Sequence, residues 1–185
     1  MKRLFIITFL SIVSTLTYSM ELELKLGLDL YRKLSVDAEG HTPTGIYPGG
    51  SIGLEALVHY KSSLRYGLGI VWHNSANGSN GYEGHSTSPL YLVGKYKVRG
   101  DLYLIGRAGW AFAKAGDATD VKGADGGLYG AFGIGREFSN NKVNLEFLYE
   151  IMKYEYNTRF ATEEDGYYQI FSLIFSYKLW AVNQS

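Results

Sequence analysis

Residues 20–34, MELELKLGLDLYRKL, alternate apolar and polar side chains almost without a break. Met20, Leu22, Leu24, Leu26, Leu28 and Leu30 share one face; Glu21, Glu23, Lys25, Gly27, Asp29 and Tyr31 share the other. Successive side chains of a strand point to opposite sides of the sheet, so this pattern predicts a long two-faced strand and not an amphipathic helix. Whether the leucine face meets a dry core or lipid then decides the class of protein.

The alternation recurs seven more times, over 49–60, 64–73, 89–98, 101–112, 127–138, 143–154 and 167–180. In 64–73, for example, Leu64, Tyr66, Leu68, Ile70 and Trp72 oppose Arg65, Gly67, Gly69, Val71 and His73. The connections alternate as well. Lys61-Ser62-Ser63, Arg99-Gly100 and Ser139-Asn140-Asn141-Lys142 have the composition of tight hairpin turns. Between them lie long polar stretches at 35–48, 74–88, 114–126 and 157–166. This rhythm predicts an up-and-down meander of eight strands with all long loops at one end.

Upstream of the first strand, Lys2 and Arg3 precede the apolar run LFIITFLSIV, and Thr17-Tyr18-Ser19 follows. The run is too short for a membrane-spanning helix and has the layout of a cleaved export signal. Residues 1–19 are therefore expected to be a signal peptide and 20–185 a single barrel domain. Cysteine is absent, which excludes a disulfide framework and a thiolate metal site. Eighteen basic residues balance eighteen acidic ones, so the chain lacks the basic excess of a nucleic-acid-binding protein.

Two barrels satisfy such a pattern: a soluble one with the apolar face inward, and a membrane one with it outward. The polar face is rich in glycine (Gly27, Gly53, Gly67, Gly69, Gly109, Gly133, Gly135) mixed with long charged side chains, which suits a narrow filled interior. Aromatic residues of the apolar face gather towards strand ends. Tyr60, Tyr66, Tyr96, Phe138 and Tyr177 lie near the short turns, and Trp72, Trp110 and Phe112 nearer the long loops. Two such belts match the interfacial girdles of a membrane barrel. The expected fold is an all-β, eight-stranded antiparallel transmembrane barrel.

In this architecture the chain resembles the small eight-stranded outer-membrane barrels of the OmpX, OmpA transmembrane-domain and opacity-protein type. The resemblance implies a bacterial outer-membrane location with periplasmic termini and insertion by the outer-membrane assembly machinery, which reads the last strand. Phe171, Leu173, Phe175, Tyr177 and Leu179 supply an alternating pattern there, with Trp180 as a near-terminal aromatic.

By phase, Glu21, Glu23, Lys25, Asp29, Glu55, Arg65, Lys95, Arg107, Glu146 and Glu150 point inward as a lumen charge network, joined by His59, His73, Lys97, Glu137 and Lys178. Charges enclosed within a membrane protein must be paired or hydrated, and an eight-stranded interior is just wide enough for side chains to fill. A filled lumen is expected over a narrow ion path, and a wide pore is excluded.

The segment Trp72-His73-Asn74-Ser75-Ala76-Asn77 resembles the His-x-Ser-Asn element of outer-membrane lipid A deacylases, where histidine activates a serine nucleophile. Asn does not directly follow Ser75, and Glu83 is the acidic residue nearest in sequence. His41, His59, His73 and His85 are scattered, and Asp117, Asp120 and Asp125 do not have the spacing of a calcium loop, so neither metal nor cofactor is expected. The expectation is a monomeric, non-enzymatic envelope protein. It would be surrounded by outer-membrane lipid and lipopolysaccharide and would meet host or envelope surfaces through loops bearing Tyr47, Tyr82, Tyr156 and Tyr167.

Overall fold

A computed structural model describes residues 20–36, 44–46, 48–74, 86–114, 121–138, 142–158 and 164–182. The expected signal peptide lies outside the described residues, as do His41, Tyr47, Ser75, Ala76, Asn77, Tyr82, Glu83, His85, Asp117 and Asp120. The chain forms β1 (Met20–Val36), β2 (Thr44–Ile46), β3 (Gly49–Lys61), β4 (Leu64–His73), β5 (Ser86–Arg99), β6 (Leu102–Lys114), β7 (Val121–Asp125), β8 (Gly127–Phe138), β9 (Val143–Thr158) and β10 (Glu164–Val182).

Eight of these close into a ring in the order β1-β3-β4-β5-β6-β8-β9-β10, each antiparallel to its neighbours. The seam pairs β1 with β10, from Met20 opposite Val182 to Val36 opposite Gly166. Closure removes the unpaired edges that an open sheet would offer to other chains. The remaining two strands are short and lie in stretches that read as loops. β2 pairs with Arg32–Leu34 of β1, and β7 with Glu155–Thr158 of β9. Several staves also run past their predicted limits, β5 starting at Ser86 and β9 ending at Thr158. Alternation reveals a strand only where one face is apolar; beyond that band the backbone keeps pairing with polar residues on both sides.

The barrel is apolar outside, and its interior mixes buried charges with apolar side chains such as Leu57, Val71, Ile105, Leu148 and Ile174. Leu92 is 65 % exposed, while its neighbours Tyr91 and Val93 are 1 % and 3 % exposed. Leu26, Leu54, Leu68, Leu104, Phe132, Phe147 and Phe175 continue this outward face around the wall. In water such a surface would be a very large apolar patch; in a bilayer it is the lipid-facing band of a barrel.

One bulge changes the reading of the first strand. Register slips between Asp29 and Tyr31, leaving Leu30 without a partner on β10. Leu30 and Tyr31 both face outward, and Arg32 and Leu34 turn into the interior. Strict alternation put Tyr31 inward and Arg32 outward. The extra residue of a bulge reverses the phase of everything beyond it, here keeping a guanidinium off the lipid face. A second slip, between Leu22 and Glu23, lets Leu179 and Trp180 both face outward on β10.

Two inward glycines make room for the interior. Gly69 lies opposite Tyr91, and Gly135 opposite Tyr103. A Cβ at either position would overlap the tyrosine ring. Each ring lies across the space over its glycine, a close approach that glycine in a strand permits.

Candidate functional site: the charged lumen

Phase and register bring the inward charges together at three levels. At the middle level, Glu23 and Lys25 of β1, Glu55 of β3, Lys95 of β5, Arg107 of β6 and Glu146 of β9 converge. The Lys25 ammonium lies 2.7, 2.9 and 2.8 Å from oxygens of Glu23, Glu55 and Glu146. The Lys95 ammonium takes the same three oxygens at 2.7, 3.0 and 2.9 Å. Arg107 closes the group at 2.6 Å from Glu55 and 2.9 Å from Glu146. Three carboxylates thus face three cations, so the level is neutral.

Neutral donors complete these carboxylates. Tyr91 donates to Glu55 at 3.1 Å, Tyr103 to Glu146 at 2.8 Å and Asn144 to Glu23 at 2.7 Å. The Arg107 guanidinium also sits 5.0 Å from the Tyr91 ring centroid, within range of a cation–π contact. All six charged residues at this level are buried. Isolated ions would be very costly there, and the shared contacts offset part of their desolvation, while Nε and Nη1 of Arg107 find no hydrogen-bond partner among the described residues.

Nearer the short turns, Glu21 accepts from Arg65 at 3.1 Å, meets the His59 ring at 2.9 Å and the Lys178 ammonium at 2.5 Å. Arg65 also reaches Glu137 at 2.5 Å, and Lys97 lies 3.2 Å from Glu137. Nearer the long loops, Asp29 pairs with Arg32 and lies 3.0 Å from Nδ1 of His73. The Ser172 hydroxyl lies between Asp29 (3.0 Å) and Glu150 (2.7 Å) with one proton to donate to either, and Tyr129 donates to Glu150 at 2.7 Å. Arg32 continues to the backbone oxygen and side chain of Asn74 at 3.0 and 3.1 Å, holding the root of the second long loop.

All ten residues of the expected network lie buried inside the barrel. Arg32 escaped the sequence reading because of the bulge. Tyr91, Tyr103 and Tyr129 lie on the inner face with the carboxylates, and the glycines opposite the first two are the sequence signal for these rings. The eight expected girdle residues, Tyr60, Tyr66, Trp72, Tyr96, Trp110, Phe112, Phe138 and Tyr177, all face outward. Outside, Phe132, Tyr149, Phe171 and Tyr31 also form a row across β8, β9, β10 and β1, with successive ring centroids 5.5, 4.8 and 6.2 Å apart.

Oxygens of Glu23, Glu55 and Glu146 lie within 4.8 Å of one another, a carboxylate arrangement that resembles a metal site. Both lysine ammoniums already bridge those oxygens, so a metal ion would have to displace a bound cation. His73 is 1 % exposed, and its acidic neighbours are Asp29 and, 3.7 Å from Nε2, Glu150. Glu83, the acidic residue nearest in sequence, lies outside the described residues. The actual partners come from distant strands, 44 residues away in the case of Asp29.

No protein-family profile matches the chain, and no curated protein matches it in sequence. Among solved structures, the chain is similar to Neisserial surface protein A, at 14 % identity over 86 % of this chain and 97 % of that one, with a TM-score of 0.55. Structures of Ail from Yersinia pestis (8 % identity, 85 % and 98 % covered, TM-score 0.47) and OprG from Pseudomonas aeruginosa (12 %, 88 % and 96 %, 0.47) also match. The likeness at these identities is one of fold. The chain is a closed, eight-stranded antiparallel barrel with the fold of the small outer-membrane β-barrels.

Proposed function

We propose that this protein is a monomeric, non-enzymatic component of the bacterial outer membrane, with a barrel that is a filled scaffold and not a conduit. The neutral middle level carries this reading: three carboxylates and three cations interlock across the axis with no charge left to attract a permeating ion. The outward apolar wall would lie in lipid, with Trp72, Trp110 and Phe112 at one interface and Tyr60, Tyr66, Tyr96, Phe138 and Tyr177 at the other. The long loops would face outward and contact lipopolysaccharide, neighbouring envelope components or host surfaces. Both barrel termini would face the periplasm, after removal of residues 1–19 and insertion by the outer-membrane assembly machinery.

Membrane fractionation with gel electrophoresis tests the location. The folded protein is expected in the outer-membrane fraction with a heat-modifiable mobility; a soluble fraction without a shift would contradict the reading. Comparing lipid A by mass spectrometry between wild type and Ser75→Ala tests the enzyme alternative. An unchanged profile is expected, because His73 is held inside the barrel by Asp29.

A further inference from the structure

The level nearest the short turns differs from the middle one in its balance. Arg65, Lys97 and Lys178 bring three positive charges, against Glu21 and Glu137. All four carboxylate oxygens are engaged: those of Glu21 by Arg65 and by His59 with Lys178, those of Glu137 by Arg65 and by Lys97. Each of the two lysines spends one contact on a carboxylate, although an ammonium carries three donors. Every carboxylate oxygen here already has a cationic partner, while each ammonium has donors beyond its one carboxylate contact.

His59, Arg65, Lys97, Lys178 and the one carboxylate Glu137 line a cavity of about 150 Å³ at the short-turn mouth, together with Ser62 and Ser63 of the β3–β4 turn. A water molecule occupies about 30 Å³ of liquid, so the space admits a small oxyanion with its remaining hydration. The mouth is accessible, since the Lys97 side chain is 35 % exposed and Ser62 is exposed. Arg99 and Lys142 lie exposed in neighbouring short turns, against Asp101, and extend the positive bias of this end. Clefts lined by one excess sign concentrate the opposite ion, and ammonium, guanidinium and hydroxyl donors together suit a tetrahedral oxyanion.

We infer that this pocket is an anion site that takes a phosphate group, with Lys97 and Lys178 as its principal ligands and Ser62 and Ser63 at its rim. The phosphate could be free or the headgroup of an anionic phospholipid, and the two sources are separable. Isotope-labelled protein folded in a non-ionic maltoside micelle would be titrated with inorganic phosphate. The same protein would be placed in nanodiscs of phosphatidylcholine with or without phosphatidylglycerol. Saturable shifts of the Ser62 and Ser63 amide resonances are expected, with inorganic phosphate if the ligand is free or only with phosphatidylglycerol if it is a headgroup. Lys97→Gln is expected to weaken whichever response occurs at least fivefold, with the heat-modifiable mobility retained, and a Lys97→Gln/Lys178→Gln pair to abolish it. Absence of saturable shifts in both arms, or a response unchanged by Lys97→Gln, would overturn the assignment.

Discussion

The two faces of each strand obey opposite rules, and the contrast explains how so polar an interior is kept. On the outer face Leu68, Leu92 and Leu104 need no specific partner, because any lipid chain will serve. On the inner face nearly every charge has its position set by several others, as Lys25 does by Glu23, Glu55 and Glu146. Substitution should therefore be judged by chemical class outside and by individual identity inside.

Four changes would break or sharpen that contrast, each read by reversible urea unfolding of the protein folded in lipid vesicles. Glu146→Ala is expected to have the largest effect, about 3–5 kcal/mol, because it leaves Lys25, Lys95 and Arg107 sharing fewer carboxylates. Next comes Leu92→Arg, expected to cost about 2–4 kcal/mol by putting a charge into the lipid-facing band. The same guanidinium is tolerated at Arg107, on the inner face of the adjacent strand. Tyr103→Phe should cost about 1.5 kcal/mol, the contribution of one hydrogen bond to the Glu146 carboxylate. Tyr149→Leu should cost about 0.5–1 kcal/mol, since the aromatic row is lost but the apolar face survives. A larger loss from Tyr149→Leu than from Tyr103→Phe would reverse the contrast and give specificity to the outer face.

The fold was legible because a membrane barrel writes its architecture at period two, and eight such stretches alternate with short and long connections. β2 and β7 were not legible, since strands of three and five residues are too short to show a period-two pattern. The inward phase of Glu55 or Lys95 could be read from one strand, but their common meeting point could not. It depends on the stagger of strands far apart in sequence, as in the pairing of Lys25 with Glu146 across 121 residues. Arg32 marks a different limit. The bulge before it is a property of pairing with β10, and the local clue was a charge that strict alternation would have left in lipid.

The most direct test of a filled, neutral lumen is electrical. Purified, folded protein in a planar bilayer is expected to give no discrete conductance steps, because the middle level is interlocked by Lys25, Lys95 and Arg107 with three carboxylates. Reproducible steps in the wild type, with an amplitude that changes in Arg107→Gln or Glu146→Gln, would contradict the account and make the same residues the lining of a narrow channel.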